Sequence, residues 1–410
     1  MEKQKYFWII GGGLLQIPEI EEAHKMGLLA IISDMNKNCV CAKLADIFLP
    51  IDIFDINDHI VQADNLLKQG IEIVGVLAAG IDAPETMAQL AKHLGQKAVD
   101  PEIANIVHNK KLFREKLRQL GHHVPKFIAI KKADLVNIEA RVAEIGYPLI
   151  VKNTDSSGSR GTKIFRSPDI EGIKEIAKIA ISVSHSKTAL IEECWEGEEQ
   201  TVESIFDING KFYPCFITDR LFDKSSGYAM ELGLRQPSAL APEIQKEMFD
   251  IAEKVARDLG ITVGAAKYDM ILTPKGPRII EMTVRLSGGF DCQYLVPAAT
   301  GKNVIKAAIL TAMGKGFPAE LLVDSKKRIG LTESIWPKPG KLVAVENLDK
   351  ALQIPGVEKI VMRYNVGDVV EEYIDCTKRV CFLIVTGETE AKAKETMELV
   401  KRTIVIKTEQ

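Results

Sequence analysis

The chain opens with short apolar blocks separated by longer amphipathic stretches. Residues 7–10 form a continuous apolar run, the pattern of a strand buried on both faces, and end in Gly11-Gly12-Gly13. A helical stretch follows through Glu22 and Lys25 to a glycine C-cap at Gly27. Residues 28–32 predict the next strand, ending at Asp34, and residues 71–77 another; 84–94 read as a helix closed by Gly95. Strand–helix alternation of this kind predicts a doubly wound parallel sheet.

The texture then changes. A charged amphipathic helix spans 109–120 and stops at Gly121; a short strand at 147–151 opens onto a loop of small polar residues, 153–162. A strand at 189–191 follows, then a hairpin of 200–206 with 211–217 around Asn209-Gly210. After a helix at 245–259 come a second hairpin, 266–272 with 278–282, and a helix at 303–313. A smaller unit begins near 328, with strands near 329–334, 357–363 and 380–385 and a last helix at 390–401.

The 410 residues are too many for one typical core and predict two to four units. With 46% hydrophobic and 27% charged residues, the chain reads as ordinary globular protein. The net charge of -3 offers no electrostatic case for nucleic acid. Seven scattered cysteines fit a reduced compartment better than a disulfide framework, and Cys39 and Cys41 lack a second pair at zinc spacing. The first apolar run is too short for a signal peptide, and no stretch approaches the roughly 20 apolar residues of a membrane span. A cytoplasmic location is the expectation.

Four segments carry candidate chemistry. Gly11–Gly13 after a strand, with Asp34 at the end of the next, imitates a dinucleotide fingerprint, but Gln16 stands where the third glycine belongs. A structural turn or another small-ligand pocket is the better reading. The loop 155–162 (Asp-Ser-Ser-Gly-Ser-Arg-Gly-Thr) can fold backbone N–H groups around phosphate oxygens, with Lys152 just before it. Residues 190–199 run a strand into a cluster of acids; alone, this reads as an exposed turn. The fourth is the second hairpin. If 273–277 close it as a five-residue turn, Leu272 faces Arg278 and Asp269 faces Glu281 on one face. Opposed like charges, about 4.5–5.5 Å apart at Cβ, destabilise a sheet unless a cation lies between them. Arg285 and Ser287-Gly288-Gly289 follow at once.

In this order the four segments resemble the ATP-grasp ligases over nearly the full chain. The nearest patterns are the L-amino-acid ligases, the phosphoribosylglycinamide-type synthetases, and the carbamoyl-phosphate synthetase and biotin carboxylase group. The resemblance implies an N-terminal α/β domain (1–110), a two-lobed ATP-grasp core (111–190 and 191–320), and a small C-terminal α/β lid (321–410). By the same resemblance Lys110 and Lys152 contact the nucleotide, with Arg114 one turn on. The loop with Ser157, Gly158, Ser159 and Gly161 covers the β- and γ-phosphates. Glu192, Glu193 and Trp195 form the adenine-side hinge, and Glu199 holds the ribose. Asp269 and Glu281 bind Mg²⁺, with Mn²⁺ as an alternative. Thr283 stands where the family has a metal-binding asparagine, which loosens the second metal site. Lys267 replaces a frequent histidine, and Arg285 steadies the transferring phosphoryl group.

The implied reaction uses ATP to turn a carboxylate into an acyl phosphate, which an amine then attacks. The implied partners are small-molecule carboxylate and amine substrates and a second copy of the chain in a homodimer, with no nucleic acid or membrane. Two other readings stand beside it: a bicarbonate-activating or phosphoribosylamine–glycine type ligase, and a non-catalytic nucleotide-binding protein.

Overall fold

The computed structural model describes residues 4–156 and 158–409. Strands β1 (Lys5–Ile10), β2 (Leu29–Ser33), β3 (Ile47–Leu49) and β4 (Glu72–Leu77) form a parallel sheet in the order β3-β2-β1-β4. Both faces of β1 are buried, which explains its unbroken apolar run. Phe7 and Ile9 pack towards helices Ile17–Lys25 and Val304–Ala312; Trp8 and Ile10 pack towards Ile56–Lys68 and Pro84–His93. The helix from residues 304–312 thus lies under a sheet made of the first 77 residues.

Strands β5 (Phe127–Ile130), β6 (Leu149–Asn153), β7 (Lys163–Phe165) and β8 (Ala189–Glu193) form a separate antiparallel sheet, order β5-β8-β6-β7. Helix Ile170–Val183 covers it with Ile173, Ile176, Ala177 and Ala180.

The large sheet has eight antiparallel strands, order β13-β12-β9-β10-β11-β14-β18-β16. They are β9 (Glu198–Phe206), β10 (Phe212–Asp223), β11 (Met230–Gln236), β12 (Gly264–Thr273), β13 (Gly276–Thr283), β14 (Ile329–Glu333), β16 (Val357–Met362) and β18 (Cys381–Gly387). The remaining strands, β15 (Gly340–Glu346), β17 (Val369–Val370) and β19 (Val405–Glu409), make a small third antiparallel sheet. The expected C-terminal unit is therefore not an independent sheet: β14 pairs directly with β11. No helix among the described residues is long and apolar enough to cross a membrane.

The second hairpin corrects one expectation. Its turn has two residues, Pro274 and Lys275, so Leu272 faces Pro277 rather than Arg278. That shift alone would misalign the acids. A bulge between Asp269 and Met270, opposite Ile280, restores the register, and Asp269 does face Glu281.

Candidate functional site

A cleft of about 1210 Å³ is lined by the loops that follow β1, β2 and β4, by the small antiparallel sheet and by the large sheet. Single-ligand pockets are typically ~300–1,000 Å³, so this cleft has room for more than one substrate.

Lys110 begins helix Lys110–Gln119, whose N-cap Asn109 accepts hydrogen bonds from the Lys111 and Leu112 amides. Its Nζ donates to the Ser156 carbonyl at 3.0 Å and lies 3.7 Å from Glu281 Oε2. Lys152, on β6, has its Nζ 2.7 Å from Glu192 Oε2 and 3.8 Å from Glu281 Oε1. Glu192 itself is buried, and Arg114 Nε donates to its other oxygen at 3.0 Å. Burial pushes the Glu192 carboxyl up, but Arg114 and Lys152 outweigh it and hold it below the usual range. Its carboxylate therefore orients Lys152 and Arg114. Arg114 also donates to the Ile280 carbonyl at 2.6 Å, at the bulge that sets the acid register.

Asp269 is the most crowded acid. Lys267 Nζ is 2.6 Å from Oδ2 and Arg220 is 3.0 Å from Oδ1. Burial opposes its ionisation, yet Arg220 and Lys267 prevail and bring its pKa down to about 2. Arg220 also bonds Glu231 at 2.8 Å and approaches Glu199 at 3.7 Å. Glu199 is further held by Lys224 at 2.5 Å. Thr283 lines the cleft and pairs in register with Lys267.

The glycine-rich loop reaches this cluster from above β6. Asn153 shapes it, accepting the Ser156 amide at 2.7 Å and donating to the Arg160 carbonyl at 2.8 Å. Gly158 and Gly161 have φ of +74° and +64°, a conformation that glycine adopts freely. Ser157 lies outside the described residues. Asp155 does not face phosphates: its carboxylate accepts the Ser184 hydroxyl and the His185 and Ser186 amides at 2.7–2.9 Å. A second segment touches the loop, for the Cys376 amide donates to the Gly158 carbonyl at 3.0 Å.

At the hinge, the Glu193 amide donates to the Lys126 carbonyl and the Cys194 amide to the Pro148 carbonyl. Glu193 and Trp195 both line the cleft. Arg285 donates to the Leu286 carbonyl at 2.8 Å and lies 3.6 Å from Asp82, while its buried Nε makes no hydrogen bond. Leu286 bridges to Ala79, which carries Arg285 against the parallel sheet. In the first glycine loop, Gly12 donates to Asp34 Oδ2 at 2.9 Å and Asn36 to Oδ1 at 2.8 Å, so Asp34 is used to brace its own loops.

Of the described residues that the resemblance assigns to nucleotide, metal or phosphoryl group, all line this one cleft except Gly161, while Gly11, Asp155 and Arg160 of the candidate loops do not line it. The sequence reading missed Arg220, Glu231 and Arg379, which donates to Glu231 Oε1 at 3.2 Å. The available signal was the charged pair Asp219-Arg220 one residue past the apolar 215–217.

A model described as ATP-grasp domain matches residues 107–289, and one described as L-amino acid ligase C-terminal domain 2 matches 335–409. Carnosine synthase 1 of Homo sapiens is 23% identical over 341 residues, 77% of this chain; the match spans only 40% of that protein's length. The L-amino acid ligase structure from Bacillus licheniformis superposes with a TM-score of 0.83 at 18% identity, covering 100% of both chains. The biotin carboxylase domain dimer of the Hydrogenobacter thermophilus 2-oxoglutarate carboxylase, described in complex with MgADP, ADP and bicarbonate, gives 0.71 at 18% identity, covering 98% of this chain and 90% of that one. Residues 107–289 thus carry an ATP-grasp domain, and residues 335–409 a C-terminal domain of the L-amino acid ligase type.

Proposed function

We propose that the protein is an ATP- and Mg²⁺-dependent ligase that activates a carboxylate as an acyl phosphate and joins it to an amine, releasing ADP and phosphate. The observation that carries this reading is the pairing of Asp269 with Glu281 in the cleft, with Lys110, Lys152 and Lys267 gathered on the two carboxylates. The lysines come from three separate elements, helix Lys110–Gln119, β6 and β12, and meet on the two acids at the cleft.

The donor set fits Mg²⁺. That ion takes one or two carboxylates and completes its shell with waters and phosphate oxygens. Asp269 and Glu281, with Thr283 in register with Lys267 beside them, would hold it. Mn²⁺ would suit the same oxygens. When bound, the metal neutralises phosphate charge and acts as a Lewis acid.

Lys110 and Lys152 neutralise the phosphates, and the loop around Gly158, Ser159 and Gly161 covers them. The main chain of Glu193 and Trp195 reads the adenine edge, while Glu199 takes the ribose hydroxyls. A carboxylate oxygen of the substrate attacks the γ-phosphorus, and the bond to ADP breaks. Arg285 steadies the transferring phosphoryl group, and Lys267 stands beside the reacting centre. The amine then attacks the acyl carbon, phosphate leaves, and an amide forms. The chain contributes positioning and charge, and its closed loop keeps water from the acyl phosphate. The same reading assigns 1–110, 111–320 and 321–410 to N-terminal, ATP-grasp and C-terminal domains.

ADP release measured over a matrix of acids and amines tests the proposal. Release that requires both partners supports it. Release with bicarbonate alone would favour carboxylation, and nucleotide binding without release across the matrix would sink the ligase reading.

A further inference from the structure

His108 ends helix Pro101–His108, two residues before Lys110. Among the described residues it is the one histidine that lines the cleft. Its ring makes no hydrogen bond with a described residue. The histidines that serve the scaffold differ in this respect. His59 bonds the Asp55 carbonyl at 2.7 Å and the Ser33 hydroxyl at 2.9 Å, and His24 and His93 each bond an aspartate at 2.9 and 2.8 Å. A neutral imidazole has one donor and one acceptor nitrogen, so His108 keeps a lone pair with no protein partner at the cleft wall.

The charges acting on this ring are Asp82, Lys110, Arg285 and Asp155. Burial is the largest influence and, helped by Lys110 and Arg285, holds the imidazole below its usual proton affinity; Asp82 and Asp155 oppose it. The other bases of the cleft are committed. Asp82 lies 3.6 Å from Arg285, Asp269 is 2.6 Å from Lys267, and Glu281 lies between Lys110 and Lys152. Burial and Glu203 push Asp291 towards its protonated form, which cannot take up a further proton.

We propose that His108 is the general base of the second half-reaction, taking the proton that the amine sheds as it attacks the acyl phosphate. This rests on the ligase reading, which puts Lys110 on the phosphates and Arg285 on the transferring group, and it adds the proton acceptor which that reading lacks. The acceptor enters as its free amine. Its lone pair forms the bond to the acyl carbon, and the bond from that carbon to the phosphate oxygen breaks. The free ring nitrogen of His108 takes a proton from the amine nitrogen. The imidazolium passes it to the departing phosphate, so the ring ends neutral and hydrogen phosphate leaves.

The test separates acceptors that need a base from one that does not. Hydroxylamine is unprotonated at neutral pH, and its adduct loses a proton to water unaided. The full chain is given ATP, Mg²⁺ and each protein amino acid as carboxylate, with either hydroxylamine or a second amino acid as acceptor. Hydroxamate and amide are measured for wild type, His108→Ala and His108→Gln. Both variants should form amide roughly 100-fold more slowly, the lower range of general-base catalysis, while hydroxamate formation, MgADP affinity and the melting midpoint stay near wild type. Equal loss with both acceptors, or full amide formation in either variant, overturns the assignment. So does a wild type that yields hydroxamate but no amide. A wild type that yields no hydroxamate overturns the ligase reading instead.

Discussion

Asp269 and Glu281 are brought face to face by a bulge, not by the turn that joins their strands. Glu281→Gln keeps the side chain's shape and removes its charge. Acid-dependent ADP release is expected to fall at least about 100-fold at saturating Mg²⁺, the scale of losing one electrostatic contact to the transition state. MgADP binding should persist, because the adenine and ribose contacts lie on other strands. A coupled ADP assay checks this, and wild-type turnover would refute the assigned role.

Arg114 ties the bulge to the small sheet. It is 1% exposed and bonds both Glu192 and the Ile280 carbonyl. Arg114→Ala leaves a buried carboxylate with one cation fewer, at a cost of about 3–5 kcal/mol. Arg114→Lys should recover only part, lacking the planar fork that reaches two partners. Calorimetric melting measures both; a midpoint unchanged by the alanine variant would show that the pair contributes nothing.

Glu203 gives a pH signature. Burial raises its pKa to about 7 from an ordinary 4.5, although the Ser287 amide opposes the shift with a hydrogen bond at 2.9 Å. The folded state therefore binds the extra proton between these values. Its contribution is fully present below 4.5 and is lost as pH rises through about 7, on the order of 3 kcal/mol in all. Glu203→Gln stays neutral throughout. Urea melts should find the variant more stable than wild type at pH 8 and close to it at pH 5. The same difference at both values would contradict the assignment.

Gly161 tests the phosphate loop. A Cβ there would lie 2.9 Å from the Ala180 backbone, at a φ of +64°. Backbone cannot give way as a side chain can, so Gly161→Ala must displace the loop. A penalty of ~1–2 kcal/mol for the left-handed conformation corresponds to about 5- to 30-fold weaker ATP binding. Calorimetric titration with a non-hydrolysable ATP analogue reads it directly, and unchanged affinity would detach this loop from the nucleotide.

Much of the fold was legible because its signals were local. The apolar run of β1, the Asn209-Gly210 turn and the amphipathic helix stopped by Gly121 each reflect chemistry within a few residues. The acid pair was legible for an incomplete reason: the expected turn was wrong, and a bulge that no local pattern announces corrected the count. The outer half of β10 and all of β11 stayed hidden. There Asp219, Arg220, Asp223 and Glu231 replace the alternation that marks a strand: Arg220 bonds Glu231 and Asp269, Asp219 pairs with Arg235, and Asp223 accepts the Ser225 amide. Asp291 stands out only in the fold, where it is buried and accepts the Thr218 hydroxyl.

The pairing of β14 with β11 bears on how chimeras of this chain can be made. Residues beyond 321 resemble an exchangeable module, but Leu234, Arg235 and Gln236 pair with Thr332, Leu331 and Gly330. A cut between these strands would strip β11 of a neighbour and leave unpaired backbone N–H and C=O groups able to recruit other chains. A graft that keeps the protein monodisperse must carry β14, β16 and β18 as part of the recipient's sheet and retain Arg379 for Glu231. Exchange of the β15–β17–β19 sheet alone respects the hydrogen bonding of the large one.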